Sequence, residues 1–399
     1  MWRPFDEPWR AWAALAIGVL AVTAQTASSI TVSVLMKSML AEFDWTRSQF
    51  ASAATVRIVV MVLFMPLAGQ LTDKYGARVV LGAGALLVGC CVLAMANVRS
   101  LPQLLAVSVG MGPGQACIGS VAASTLVLRL FHRHRGIAIG VLNGGDNLLN
   151  AALPLVAVVF LEQVGWRLTL GALGTTYFAL AALTALTLRP SDGRAEAGGA
   201  ADGAPSLRDT VSGDRRLWVL FLTFAVVYAF ITALQLHFHA FQTDSGRSPA
   251  VASQLLSIQI LVGAAGAPLF GWLAERTSAR TALVACVTGL TISAALVWNA
   301  ETLWSLRAWA VFHGLVNSGV VALLALVLHE LTGSDRIGSL IGVTLGVCMG
   351  ATVLGNQWAA WMFDRFHSYV PAWQAYSALM LVAVAGAVWI RRAPAPRRS

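Results

Sequence analysis

The stretch Pro66-Leu67-Ala68-Gly69-Gln70-Leu71-Thr72-Asp73-Lys74 returns, altered but in register, as Pro268-Leu269-Phe270-Gly271-Trp272-Leu273-Ala274-Glu275-Arg276. Position 66 maps onto position 268, an offset of 202 residues, and proline, both leucines, glycine, acid and base keep their places. Arg78 and Arg280 continue the match, and Gly140 and Gly342 repeat it farther along the chain. Chance does not readily give this many chemically matched positions at one offset. The chain is therefore built from two parallel repeats.

The composition around the repeat is that of a membrane protein. Of 399 residues, 57% are hydrophobic and 11% charged, with a mean hydropathy of +0.72. A soluble domain carries roughly a quarter charged residues. A spanning helix needs about 20 mostly apolar residues, and the chain offers 11–36, 48–70, 79–97, 101–128, 136–160, 166–188, 216–241, 249–273, 280–299, 303–328, 336–362 and 372–390. The repeated stretches close the second and eighth of these. The first run shows no small-residue cleavage site and reads as a span rather than a signal peptide.

The expected division is an N-terminal six-helix bundle over 1–188, a polar linker over 189–215 and a C-terminal six-helix bundle over 216–399. The linker opens Arg189-Pro190-Ser191-Asp192-Gly193 and has no long apolar face. With the N-terminus placed inside, 19 of the 27 Lys and Arg residues collect on that side and 6 on the other, while Arg57 and Arg307 lie within spans. Both termini are thus expected in the cytoplasm. The net charge of +9 is explained by this asymmetry, not by nucleic acid. Cys90, Cys91, Cys117, Cys286 and Cys348 lie inside apolar runs and read as small hydrophobes.

Gly69-x-x-x-Asp73-Lys74-x-Gly76-x-Arg78 resembles the signature between the second and third helices of the major facilitator superfamily, and Gly271 to Arg280 resembles its weaker second copy. The resemblance covers the whole chain. It implies an all-α membrane protein of twelve transmembrane helices in two pseudo-symmetric six-helix bundles. It also implies a conformational latch, made by Gly69, Asp73, Lys74, Gly76, Arg78, Gly271, Glu275, Arg276 and Arg280, that closes the cytoplasmic side in the outward-open state. From the residues themselves, the glycines permit close helix approach, and Asp73 suits a helix N-terminus, where the dipole favours an anion. A plainer reading has these charges only orienting the loop.

A narrower resemblance, to the monocarboxylate-porter and oxalate/formate-antiporter branch, rests on Asp44-Trp45-Thr46-Arg47-Ser48-Gln49-Phe50, Arg135-Gly136-x-Ala138-x-Gly140 and Gly165-Trp166-Arg167. Two departures stand against it. The eighth span lacks the Asp–Arg pair of the animal carriers, and Leu149 stands where the branch often has glycine. The arginine and the Gly-Pro-x-x-Gly-Gly run usual in proton-driven drug antiporters are missing from spans four and five. His329-Glu330-Leu331-Thr332-Gly333 has no second histidine, so no metal site is expected. No phosphate loop, nucleophile set or cofactor motif occurs, so the chain is expected to be no enzyme and to need no cofactor.

Ionisable groups at membrane depth mark function by default. Asp146 lies about ten residues into the fifth span, near mid-membrane at 1.5 Å per residue. With Asn143, Asn147 and Asn150 it forms a polar stripe on one helical face. It suits proton coupling, or packing against an arginine. Arg57 lies equally deep in the second span, and two readings fit it: bidentate recognition of a substrate carboxylate, and a salt bridge, with Asp146 among the candidates. Arg307 opens the tenth span and could touch substrate or lie at the outer interface; Lys37 reads as interfacial. Weaker polar lines comprise Tyr228, Thr232, Gln235 and His239, with His237 opposite; Trp309, His313 and Asn317; Gln25 and Ser29; Ser108, Gly112, Gln115 and Gly119; and Asn356 and Gln357.

The expected substrate-binding set is Arg57, Arg307, Gln25, Gln115, Asn143, Asn147, Tyr228, Gln235, His313 and Asn317, with proton coupling by Asp146, His237 and His239. Together these describe a secondary carrier, in a bacterial inner membrane, that symports a small organic anion, expected to be a carboxylate, with protons and works as a monomer. The alternatives are proton-antiport efflux of amphipathic molecules and a non-transporting sensor on the same fold.

Overall fold

The computed structural model describes residues 9–45, 47–189, 213–333 and 337–392; the linker, apart from its two ends, and Arg336 lie outside them. Every regular element among the described residues is helical. In chain order these are α1 (Trp9–Phe43), α2 (Arg47–Tyr75), α3 (Ala77–Ala96), α4 (Leu101–Ile118), α5 (Ser120–Leu130), α6 (Arg135–Thr187), α7 (Arg215–Asp244), α8 (Pro249–Arg276), α9 (Ala279–Val297), α10 (Leu303–Asn317), α11 (Gly319–Thr332), α12 (Ile337–Phe366) and α13 (Val370–Arg392).

Among the described residues, eleven helical stretches are long and apolar enough to cross a membrane. The twelfth crossing is hidden in α6. At 53 residues that helix would measure about 80 Å, far more than one bilayer requires. It turns at Gly165, whose φ of 77° and ψ of 169° are not helical and belong to a region open essentially to glycine alone. The stretch before the turn carries the polar stripe Asn143, Asp146, Asn147 and Asn150, which lowers its hydropathy.

Two expected spans are each formed by two helices. Between α4 and α5, Gly119 leaves the helical path, and a Cβ there would strike the Gln25 side chain. Between α10 and α11, the Ser318 hydroxyl donates to the Gly314 carbonyl at 3.1 Å, a back-bond of the kind that bends helices.

The described residues fall into two compact units. One draws on Met1–Arg133, Leu148–Ala200 and Ser334–Val343, the other on His134–Asn147, Ala201–Gly333 and Thr344–Ser399. The 202-residue offset reappears inside them as paired contacts. In the first unit, Gly69 packs on the backbone of Gly338, and Gly342 on Met65 and Pro66. In the second, Gly271 packs on the backbone of Gly136, and Gly140 on Ala267 and Pro268. Subtracting 202 from 338 and 342 gives 136 and 140, so each contact has its counterpart. Small residues let the backbones meet closely, which is how helices associate in lipid. Cys117, Cys286 and Cys348 are buried and all five cysteines are free thiols. Cys117 fits against Gly84, where α3 and α4 close on each other.

Candidate functional site

In the first unit, α1, α2 and α4 converge on Arg57. Gln25, Ser28 and Ser29 lie on one face of α1, at i, i+3 and i+4. Gly112 presses against the Arg57 carbonyl and the Met61 nitrogen, where a Cβ would sit 2.9 Å from each, and so lets α4 close on α2. One turn on, Gln115 is wholly buried. Its Oε1 accepts from Arg57 Nη1 at 2.6 Å, while its Nε2 donates to Ser28 Oγ at 2.8 Å and to the Gln25 carbonyl at 3.1 Å. Arg57 Nη1 also donates to Ser29 Oγ at 2.9 Å. Tyr177 closes the back of the site, its hydroxyl donating to the Ala24 carbonyl at 2.6 Å.

Both bonds of the guanidinium come from Nη1. Among the described residues the Nε–Nη2 edge has no partner, and Arg57 lines a cavity of about 90 Å³ with Ser28, Ser29, Ser33, Phe50 and Ser108. That edge presents two parallel N–H groups, the geometry that grips a carboxylate. Gln25 reaches toward Met61 Sδ, 3.8 Å away, and fills the notch at Gly119. A second cavity of the same unit, about 420 Å³, lies between α1 and α6. Leu20, Val156, Phe160 and Leu183 line it with four threonines and no charged residue, so it offers an anion no opposite charge.

The second unit holds the other expected site residues. Asn143 is buried and donates to the Ile139 carbonyl at 2.8 Å. Asp146 and Asn147 are half-buried, and Asp146 has an interaction partner. His237 is gripped at both ring nitrogens: Nε2 faces the Asn356 carbonyl at 3.2 Å and Nδ1 the Tyr369 hydroxyl at 3.2 Å. Since a carbonyl only accepts, Nε2 carries the proton and Nδ1 accepts from Tyr369. Burial first, then the charges of Asp244 and Asp364, push the Tyr369 phenol above its ordinary pKa. It therefore remains a donor. His239 is half-buried, Tyr228 buried and Gln235 exposed. His313 is packed inside, its Nδ1 against Ser293 Oγ at 2.8 Å and its ring on Trp309 at 5.1 Å. Asn317 keeps a buried Oδ1 without a partner among the described residues. Arg307 sits in the first turns of α10, donating to Gln254 at 3.2 Å with its guanidinium over Trp304.

The motif residues make matched contacts as well. Asp73 accepts from Arg129 at 2.6 Å, from the Ser339 backbone N–H at 2.8 Å and hydroxyl at 2.7 Å, and from the Gly338 N–H at 3.2 Å. It thus caps the start of α12. Glu275 accepts from the Ile137 N–H at 2.8 Å at the start of α6, with His134 Nδ1 at 3.6 Å. Positions 73 and 339 map onto 275 and 137 at the same offset of 202. The flanking ion pairs are reversed in sign: Arg280 meets Glu330 at 3.0 Å, where the first unit pairs an acid on the motif with Arg129. Lys74 and Arg276 lie over Tyr75 and Trp272. At the opposite end of the first unit, Glu42 accepts from Trp166 Nε1 and from Arg167, each at 2.7 Å. Arg167 covers the Trp166 ring, and Phe43 stacks on Trp45. Phe43 also meets the Trp166 ring edge-on at 6.1 Å, so two of the three stretches that carry the narrower resemblance share one cluster.

The Major Facilitator Superfamily model matches residues 16–298 and 238–399. The chain belongs to the Major Facilitator Superfamily. Among curated relatives of this facilitator, human monocarboxylate transporter 2 is 24% identical over 97% of the chain and 86% of its own length. Monocarboxylate transporter 3 of Rattus norvegicus is 28% identical over 85% and 71% respectively. Among solved structures, the transporter FucP in its outward conformation superposes with a TM-score of 0.76 at 14% identity, over 96% of this chain and 99% of its own. The proton:xylose symporter XylE superposes with a TM-score of 0.74 at 14% identity, over 97% and 95%. The facilitator is thus a multi-pass, all-α membrane transporter with twelve membrane-crossing segments, and not an enzyme. Ser28, Ser339 and Ile137 escaped the sequence reading; the 202-residue offset carried from Asp73 to Glu275 is the signal that relates the last two.

Proposed function

We propose that this transporter carries a small carboxylate together with a proton by alternating access, and that Arg57 holds the carboxylate. The carrying observation is the unshared Nε–Nη2 edge of Arg57 beside a small, serine-lined cavity. Gln115 fixes the guanidinium and does not itself face the cavity. The apolar part of the lining, with Phe50, Ala53, Met95 and Leu104, suits a short carbon skeleton. Proton coupling is assigned to Asp146 and His237. The His237 ring can take a proton at Nδ1 and keep both contacts if the Tyr369 hydroxyl turns to accept.

In this reading the two sequence halves rock about the central site, and the Asp73 and Glu275 helix caps form and break with each cycle. Both termini face the cytoplasm and the carrier works as a monomer. The test is flux of labelled carboxylates in proteoliposomes with and without a pH gradient. Arg57→Ala should abolish flux, and Asp146→Asn should remove its dependence on the gradient. Carboxylate flux unchanged by Arg57→Ala would remove the role of that residue.

A second reading, export of an amphipathic molecule, draws on the apolar 420 Å³ cavity. Flux of apolar cations alone would favour it.

A further inference from the structure

The second unit carries a groove that the transport reading does not use. It lies between the first part of α7 and the last part of α13 and encloses about 260 Å³. Arg215 and Trp389 stand at its charged end, and Leu222, Val226, Val382 and Gly386 line the remainder. Leu222 and Val382 are 60% and 54% exposed on the outside of the unit. From Arg215 to Val226 is 11 residues, about 16 Å of helix, which matches the roughly 15 Å depth of one leaflet of the hydrocarbon core. An apolar slot of that length, open to the bilayer, is shaped for an acyl chain.

The charge at its mouth specifies the head. The carboxylate of Asp214 is taken by Arg216, with contacts at 2.7 and 2.9 Å. Arg215 is exposed, with its guanidinium over the Trp389 ring at 5.8 Å. Arg391 and Arg392, exposed in the last turn of α13, are at the same end. None of these three arginines has an acidic partner among the described residues. Trp389 is 40% exposed beside them, as an aromatic ring at a membrane interface would be. Basic pockets between spanning helices at an interface bind anionic headgroups.

We infer that this groove is a binding site for an anionic phospholipid, its acyl chain between α7 and α13 and its phosphate on Arg215, Arg391 and Arg392. The experiment is native mass spectrometry of the purified full-length protein after exchange into equal phosphatidylglycerol and phosphatidylcholine. The wild type should retain phosphatidylglycerol in preference. At about 1 kcal/mol per arginine, each removal weakens retention roughly fivefold, so Arg215→Gln with Arg391→Gln and Arg392→Gln should abolish the preference. Val382→Trp, at an exposed position, fills the slot and should release the lipid with all three arginines intact. Excess inorganic phosphate should leave the lipid bound. Equal retention of both lipids, retention unchanged in Val382→Trp, or displacement by phosphate would each overturn the inference. None of these residues belongs to the Arg57 site, so carboxylate flux in the same variants separates failure of this inference from failure of the transport reading.

Discussion

Substituting Asp73 by asparagine tests the asymmetry between the two helix caps. Asp73 is 8% exposed and accepts four hydrogen bonds, one from the guanidinium of Arg129, itself nearly buried. Asparagine keeps one accepting oxygen and, in either orientation, turns an N–H₂ toward a backbone N–H of Gly338 or Ser339, which only donates. Breaking a buried ion pair costs about 3–5 kcal/mol. Arg129 has further interactions, which places the expected loss near the lower end, about 3 kcal/mol. The counterpart Glu275→Gln keeps an oxygen for the Ile137 N–H and loses only a charge at a helix start and a histidine contact at 3.6 Å. That loss is about 0.5–1 kcal/mol. Thermal or denaturant unfolding of both variants in detergent should therefore separate them by about 2 kcal/mol or more, the difference of those two losses. Arg129→Ala should be strongly non-additive with Asp73→Asn, because both remove one interaction. Losses within about 0.5 kcal/mol of each other, or additive losses at Asp73 and Arg129, would refute the reasoning.

Gly165→Ala should destabilise by about 1–3 kcal/mol in the same unfolding assay, through φ alone, since nothing lies within 4 Å of the added Cβ. Gly271→Leu should abolish transport, because the side chain would enter the Gly136 backbone; flux at the wild-type rate would contradict that packing. The Trp166 indole hydrogen bond first, and then Arg167, hold the Glu42 carboxyl below its ordinary pKa of 4.5. Its contribution is therefore complete above pH 4.5 and is lost as pH falls through the lower folded value. The gap in melting temperature between wild type and Glu42→Gln should be constant above pH 4.5 and shrink below it. Tyr369→Phe removes the donor to His237 Nδ1 and should shift the pH profile of transport; an unmoved profile would separate His237 from proton coupling.

The duplication was legible because its register lies in residues that cannot be exchanged freely. Gly69, Gly271, Gly140 and Gly342 each meet backbone, and the acids each cap a helix start. The partners were less legible. Ser339 and Ile137 contribute backbone N–H groups, which any residue supplies, so side-chain pattern gave no sign of Ile137. Arg57 stood out by its charge at depth, but its partners are uncharged groups on α1 and α4 that only close packing at Gly112 brings near. His313 and Arg307 drew notice by polar type and helical position, but their surroundings were not legible: Trp309 and Ser293 enclose the first, and Gln254 and Trp304 flank the second. The fifth and sixth spans read as separate crossings because Gly165 lies between two apolar runs, and its positive φ turns one helix into the next.

Direct binding of a short carboxylate and of its neutral amide, measured by calorimetry on the purified wild type and on Arg57→Gln, addresses the central claim most closely. The account predicts that the wild type binds the carboxylate and not the amide, and that Arg57→Gln, with its charge and its fork of N–H groups gone, binds neither. Equal binding of carboxylate and amide by the wild type, or carboxylate binding retained by Arg57→Gln, would contradict it.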